Sequence, residues 1–180
     1  MQQELPLSKA FHLIEPGPVI LVTTSDHGRP NAMTASCHML LDFTPRIGCG
    51  MGDWDYSFEV LQRTKECVIA IPTVDLMVPV VDMGNCSGRD VDKFAAFGLT
   101  ALPAAKVDAP LIAQCLAHIE CRLVEVIEPY GIVVLEGVHA WIDPDRQERR
   151  TFHANGDGTF VMDGETVDLK ERMTRWQDIL

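Results

Sequence analysis

The feature that most constrains the fold is a pair of long apolar segments separated by a four-residue turn. From His118 the chain reads HIECRLVEVIE, with Ile119, Cys121, Leu123, Val124 and Val126 apolar and Glu120, Arg122 and Glu125 between them. Near-alternation of this kind marks a long strand with one face in the core and one in water. Glu128-Pro129-Tyr130-Gly131 turns the chain, and IVVLEGVHAWI returns beside it. Two such strands must pair antiparallel, and they need further strands to cover their inner face.

The rest of the chain supplies them as hairpins. Pro18 to Thr24 (PVILVTT) is short and β-branched, which suits a buried strand. Ser25 to Arg29 is a turn in which Gly28 can take a positive φ, and Asn31 to Cys37 returns antiparallel. Arg46 to Met51 and Glu66 to Pro72 read as strands, and Asn155-Gly156-Asp157-Gly158 links Thr151–Ala154 to Thr159–Met162 as a small meander. Three short helices are predicted. The first runs from Tyr56 to Lys65, capped by Asp53 or Asp55; the second from Ser87 to Phe97, stopped by Gly98; the third from Asp108 to about Ala117. Strands in hairpins, without strand–helix–strand alternation, predict a mainly β, antiparallel, barrel-like sheet.

At 180 residues the chain has the length of one domain, and no repeat, low-complexity tract or linker divides residues 1–180. A net charge of −11 opposes binding to nucleic acid or to an anionic membrane surface. It does not oppose one small anionic ligand held in a local pocket. The apolar run from Cys67 is broken by Pro72, Asp75 and Pro79, and a span needs about 20 apolar residues. The N-terminus lacks a basic start followed by an apolar run, so a cytoplasmic protein is expected. Six cysteines without Cys-x-x-Cys or zinc-finger spacing read as reduced thiols, with no metal expected.

Four local features could carry chemistry. Asn31-Ala32-Met33-Thr34-Ala35-Ser36-Cys37-His38 sets small and hydroxylated residues along a strand, where a ligand can reach backbone amides and the Thr34 and Ser36 hydroxyls. The plainer account is a polar strand end. In Ser87-Gly88-Arg89-Asp90-Val91-Asp92-Lys93-Phe94, Arg89 and Lys93 are four apart on the predicted helix, so two cations would share a face near its start and hold an anion. The plainer account is a solvated face balanced by Asp90 and Asp92. Ser57, at the start of the first helix, could serve the same anion, or simply belong to a capping sequence. His139 on a strand, His153 on the terminal meander and Cys37 are weak catalytic candidates; the plainer account of each is an ordinary structural residue.

Taken in order, PVILVTT, NAMTAS, YSFEVLQRTKECVIAIP, CSGRDVDKFAAFGLT, APLIAQCLAHIECRLVEV and IVVLEGV resemble the flavin reductase-like, FMN-binding split-barrel family, above all its flavoredoxin-like branch. The resemblance covers about Pro18 to Asp143. It implies a six-stranded antiparallel Greek-key split barrel with short rim helices, a homodimer, and FMN near the subunit interface. It further implies that Asn31, Thr34, Ala35, Ser36, Cys37 and His38 run along the flavin, and that Ser57 and Lys93, with Arg89 assisting, lie near its phosphate. Cys37 and His38 stand where many relatives carry aromatic residues. Two activities follow from the resemblance: an NAD(P)H-dependent flavin or ferric reductase, or a flavoredoxin-type carrier that takes electrons from a redox-protein partner; the plainer alternative is a split barrel that has lost cofactor binding and serves another role.

Overall fold

The computed structural model describes residues 1–175. In chain order the strands are β1 (Gln3–Glu4), β2 (Ile20–Asp26), β3 (Arg29–Ala35), β4 (His38–Asp42), β5 (Arg46–Gly50), β6 (Glu66–Ile71), β7 (Ala101–Leu102), β8 (Leu111–Ile112), β9 (Ala117–Ile127), β10 (Ile132–Ile142), β11 (Phe152–Ala154) and β12 (Phe160–Met162). The helices are α1 (Tyr56–Thr64), α2 (Met77–Gly84) and α3 (Lys93–Ala96). One antiparallel sheet follows the order β3-β2-β6-β9-β10-β5-β4, with β1 added to the side of β10. The path therefore has seven strands, one more than the six expected. The extra one is the exposed edge strand β4, whose polar–apolar mixture gave no strand signal. The two ends of the path, β3 and β4, are consecutive in the chain but not paired with each other, and there the barrel is split. Among the described residues no helix is long and apolar enough to cross a membrane.

The sheet curls because its core demands it. Ile20, Val22, Ile47, Ile69, Ile119 and Leu135 point into one buried cluster. Leu21, between two of them, points the other way into a second cluster with Ala70, Val80, Met83 and Phe152. β2 is thus buried on both faces, which is why its sequence runs apolar without alternation. Complete burial of a side chain such as Ile or Leu stabilises by about 1.5–3 kcal/mol. Gly137 allows the coil to close on β10: a Cβ there would lie 2.8 Å from Pro45 Cγ and 2.9 Å from Ile119 Cγ2.

Two predicted elements are corrected, and one that was not predicted appears. The segment 108–117 is not a helix. Thr23 donates to the Pro110 carbonyl (2.6 Å), Leu116 N to Ile71 O (2.9 Å) and Ala113 N to Thr100 O (2.9 Å), so its backbone is claimed by distant partners. The second helix shrinks to Lys93–Ala96, with Asp92 as its cap accepting from Ala95 N at 3.1 Å. Arg89 lies in the preceding turn and shares no helix face with Lys93. Conversely, Met77–Gly84 is helical where none was predicted. Pro79 falls in its first turn, where no intrahelical acceptor is needed.

β9 departs from its half-exposed pattern at one end. Residues Ala117 to Cys121 are all buried, Glu120 included. The Glu120 carboxylate accepts from Ala105 N (2.8 Å), Lys106 N (2.6 Å) and Trp141 Nε1 (2.6 Å), which fastens the 103–109 loop to the barrel. Glu120→Ala leaves three part-buried donors without their acceptor. Because bonds to a charged group are worth about 1.5–3 kcal/mol each, we expect a loss of at least about 3 kcal/mol in urea unfolding. A midpoint within error of the parent would show the clasp to be idle.

Candidate functional site

A cavity of about 250 Å³ opens at the rim where β3, the start of α1, the end of α2 and the turn before α3 converge. β3 ends the sheet and is paired only with β2, so alternate amides of this strand face away from the sheet. It brings Asn31 and Thr34 to the cavity. α1 brings Ser57, and α3 brings Lys93.

Lys93 dominates the electrostatics. It is only 4% exposed, and its Nζ donates to the Met83 carbonyl at 2.9 Å. Among the described residues that carbonyl is the single acceptor for an ammonium with three donors. Burial pushes the Lys93 pKa down, and the neighbouring Cys86 and Asp55 partly offset this. Burial pushes the Asp55 carboxyl up, against the Gly52 amide and Lys93. Asp55 stands at the N-cap of α1, but its carboxylate turns back to Gly52 N (3.3 Å) and makes no cap. The amides of Tyr56 and Ser57, both lining the cavity, are left without a side-chain acceptor.

Asn31 is 4% exposed and donates from Nδ2 to Ser57 Oγ at 2.8 Å, while its Oδ1 is buried with no partner. Gly88 makes this possible: a Cβ at that position would lie 1.9 Å from Asn31 Oδ1. Thr34 donates to the Val80 carbonyl at 2.6 Å. Its hydroxyl proton is thereby committed to α2, so a ligand would find donors in the strand amides instead.

The other sequence candidates lie elsewhere. Ser36, Cys37 and His38 line a separate, largely apolar cavity of about 480 Å³ with Met39, Leu41 and Ile132, further along the same chain direction. His38 Nε2 meets the Pro18 carbonyl at 2.6 Å, and burial lowers its pKa. Ala35 is buried and lines neither cavity. Arg89 is exposed, bonded to Glu59 at 2.7 Å and set over the Tyr56 ring at 5.2 Å. His139 packs edge-on against Trp141 at 4.8 Å, and His153 bridges Gly17 O and Asp163. Neither borders the two cavities. Gly84, Asn85 and Cys86, at the end of α2, line the first cavity and were missed. The one available signal was Gly84-Asn85 closing an apolar run.

Barrel and cavity define a class: a split β-barrel with a polar rim cavity whose open donors suit an anion. The chain belongs to the flavin reductase like domain family, whose model matches residues 13–160. It is 31% identical to the uncharacterized protein YddH of Escherichia coli K12 over 91% of this chain and 95% of that protein. An uncharacterized Archaeoglobus fulgidus protein is 35% identical, over 56% of this chain and 57% of its own length. Among solved structures, an FMN-binding domain of a flavin reductases-like enzyme from Shewanella baltica OS155 superposes with a TM-score of 0.85 at 26% identity, covering 93% of this chain and 97% of that one. Flavoredoxin of Desulfovibrio vulgaris (Miyazaki F) gives 0.78 at 26%, covering 84% and 89%.

The Gly88–Asn31 approach can be tested directly. Overpacking costs about 1–3 kcal/mol, so Gly88→Ala should destabilise by that amount in urea unfolding. Asn31→Ala removes the obstructing amide, and in that background the same change should be nearly free, a coupling a double-mutant cycle resolves. Simple additivity would mean that the glycine is not there to admit Asn31.

Proposed function

We propose that this protein is an FMN-binding oxidoreductase that works as a homodimer in the cytoplasm, taking electrons from NAD(P)H and delivering them to free flavin or a ferric complex. The single observation that carries this reading is Lys93, a buried ammonium with donors to spare in the rim cavity of a flavin reductase-like barrel. A buried cation is stable only when it is compensated, and the phosphate of FMN is a matching anion. Asn31 Oδ1 adds an orphaned acceptor for a ligand hydroxyl. We favour FMN over FAD because nothing in the chain resembles an adenosine site.

Bound FMN supplies the redox step, since its ring system accepts a hydride and releases electrons. Everything else falls to this chain. Lys93, Ser57 and the uncapped amides of Tyr56 and Ser57 hold the phosphate, with Arg89 outside, orienting Glu59 and Tyr56. Outward amides of Asn31 to Ala35, continuing to Ser36, offer donors to the ring edge that becomes negative on reduction and so raise its electron affinity. The apolar cavity at Ser36, Cys37 and His38 excludes water beside the ring. The net charge of −11 makes Lys93 matter more, because little else on the chain attracts a dianion.

The likeness to a flavoredoxin supports a second reading, a carrier that receives electrons from a redox-protein partner. Rapid oxidation of NADPH or NADH by the flavin-loaded protein favours the first reading; slow oxidation, with fast reduction by a protein donor, favours the second.

Lys93→Ala removes a charge-assisted contact worth about 1.5–3 kcal/mol. FMN affinity should fall roughly ten- to a hundredfold, while riboflavin, which lacks the phosphate, should bind as before. Equal weakening of both ligands would show that Lys93 matters only for folding, and no effect on either would move the phosphate elsewhere.

Assembly is tested separately. Edge strand β4 exposes Met39 (60%) and Leu41 (46%), beside Tyr130 (77%). Unpaired edges and apolar faces favour a second copy. Sedimentation at micromolar concentration should show twice the 20.0 kDa chain mass, and a monomer that still holds FMN would refute the dimer.

A further inference from the structure

Six free cysteines are distributed very unevenly. Cys49, Cys67, Cys115 and Cys121 are completely buried. Burial pushes the Cys49 and Cys115 thiols up to about 12, which makes them inert. Cys37 is exposed, but no lysine or arginine lines its cavity. Cys86 is partly exposed and lines the rim cavity together with Lys93. Its Sγ lies 3.6 Å from the Met83 carbonyl, the same oxygen that receives Lys93 Nζ at 2.9 Å. Thiol and ammonium therefore meet at one carbonyl. Asn31 also lines that cavity, and its Oδ1, packed against Gly88, is buried without a partner, an acceptor left open to a ligand.

We infer that Cys86 is an oxidation site which closes the anion cavity: hydrogen peroxide converts it to the sulfenic acid, whose oxygen takes up the open donors of Lys93 in place of the ligand anion. The inference rests on the proposed cofactor site. In the step, the Cys86 sulfur attacks one peroxide oxygen, an S–O bond forms and the O–O bond breaks. The departing hydroxide collects the thiol proton and leaves as water. Sulfur loses two electrons and peroxide gains them. Susceptibility to peroxide follows exposure, and Cys86 is partly exposed. Reduced FMN held in this cavity would supply hydrogen peroxide on reaction with oxygen, beside Cys86 in the cavity wall. Excess dithiol reductant returns the sulfenic acid to the thiol and reopens the cavity.

The test uses the full chain freed of flavin. Peroxide is added with dimedone, which traps sulfenic acids, and the tagged peptides are identified by mass. Cys86 should be tagged, and inorganic phosphate at tens of millimolar should slow its tagging at least fivefold without changing that of Cys37. FMN affinity of a sample treated with peroxide alone should fall at least tenfold and recover with dithiothreitol. In Cys86→Ser, the affinities before and after peroxide should agree within twofold. Tagging confined to Cys37, tagging of Cys86 that phosphate does not slow, or an equal loss of affinity in Cys86→Ser would each overturn the inference. If the untreated chain holds no FMN, the cofactor reading fails, while phosphate-sensitive tagging of Cys86 still decides the chemistry of the thiol. The two failures are thus told apart.

Discussion

The ladder between β9 and β10 is the spine on which the other strands depend. These are the two longest strands, eleven residues each, paired from Ile132↔Ile127 to Ile142↔Ala117. β9 carries β6 on its other side, and β10 carries β5 and β1. Every strand of the large sheet is therefore anchored to one of these two, directly or through one or two further neighbours. The ladder is irregular at Val134/Leu135 and at Gly137/His139, and irregularities of this kind sharpen twist. Twist brings β3 round toward β4 without joining them, and that gap is the split.

Beyond the spine, α2 organises the rim. Its carbonyls at Val80 and Met83 hold Thr34 and Lys93. A helix end is rich in free carbonyls and carries partial negative charge, so it is a natural seat for a buried ammonium. It compensates Lys93 only in part, and this leaves the cavity attractive to an anion. An acidic chain can thus keep one concentrated positive site while remaining strongly negative outside it.

How far this was legible in the sequence differs by element. The hairpins could be read because alternation and turn chemistry are local signals, as in Ala117–Ile142 and in Asn155–Gly158. α2 could not be read, because an apolar run with a proline looks the same in a strand, a linker and a buried helix. The 108–117 segment misled because Asp108-Ala109-Pro110 is a sound helix start locally, yet its backbone finds partners in β2, β6 and Thr100. Within the site, Asn31, Thr34, Ser57 and Lys93 were all named from sequence, and they converge. Arg89 was paired with Lys93 on the assumption of one continuous helix. The turn at 87–91 removed that relation and gave Arg89 to Glu59. Cys86 carried no signal, since its chemistry comes wholly from a neighbour seven residues away.

The way the rim cavity is stitched together has a consequence for how the protein matures. Its walls come from near positions 31, 57, 86 and 93, on four separate elements. The β9–β10 ladder that draws those elements into place lies further toward the C-terminus. During synthesis the cavity-forming residues emerge first and wait for their scaffold. A chain truncated before the ladder therefore has all the contact residues and no cavity. Long-range closure of this sort is slow relative to local helix formation, and a ligand that recognises only the closed form stabilises it by mass action. Capture of the ligand thus acts as a proofreading mark on the finished barrel, separating completed molecules from those still assembling.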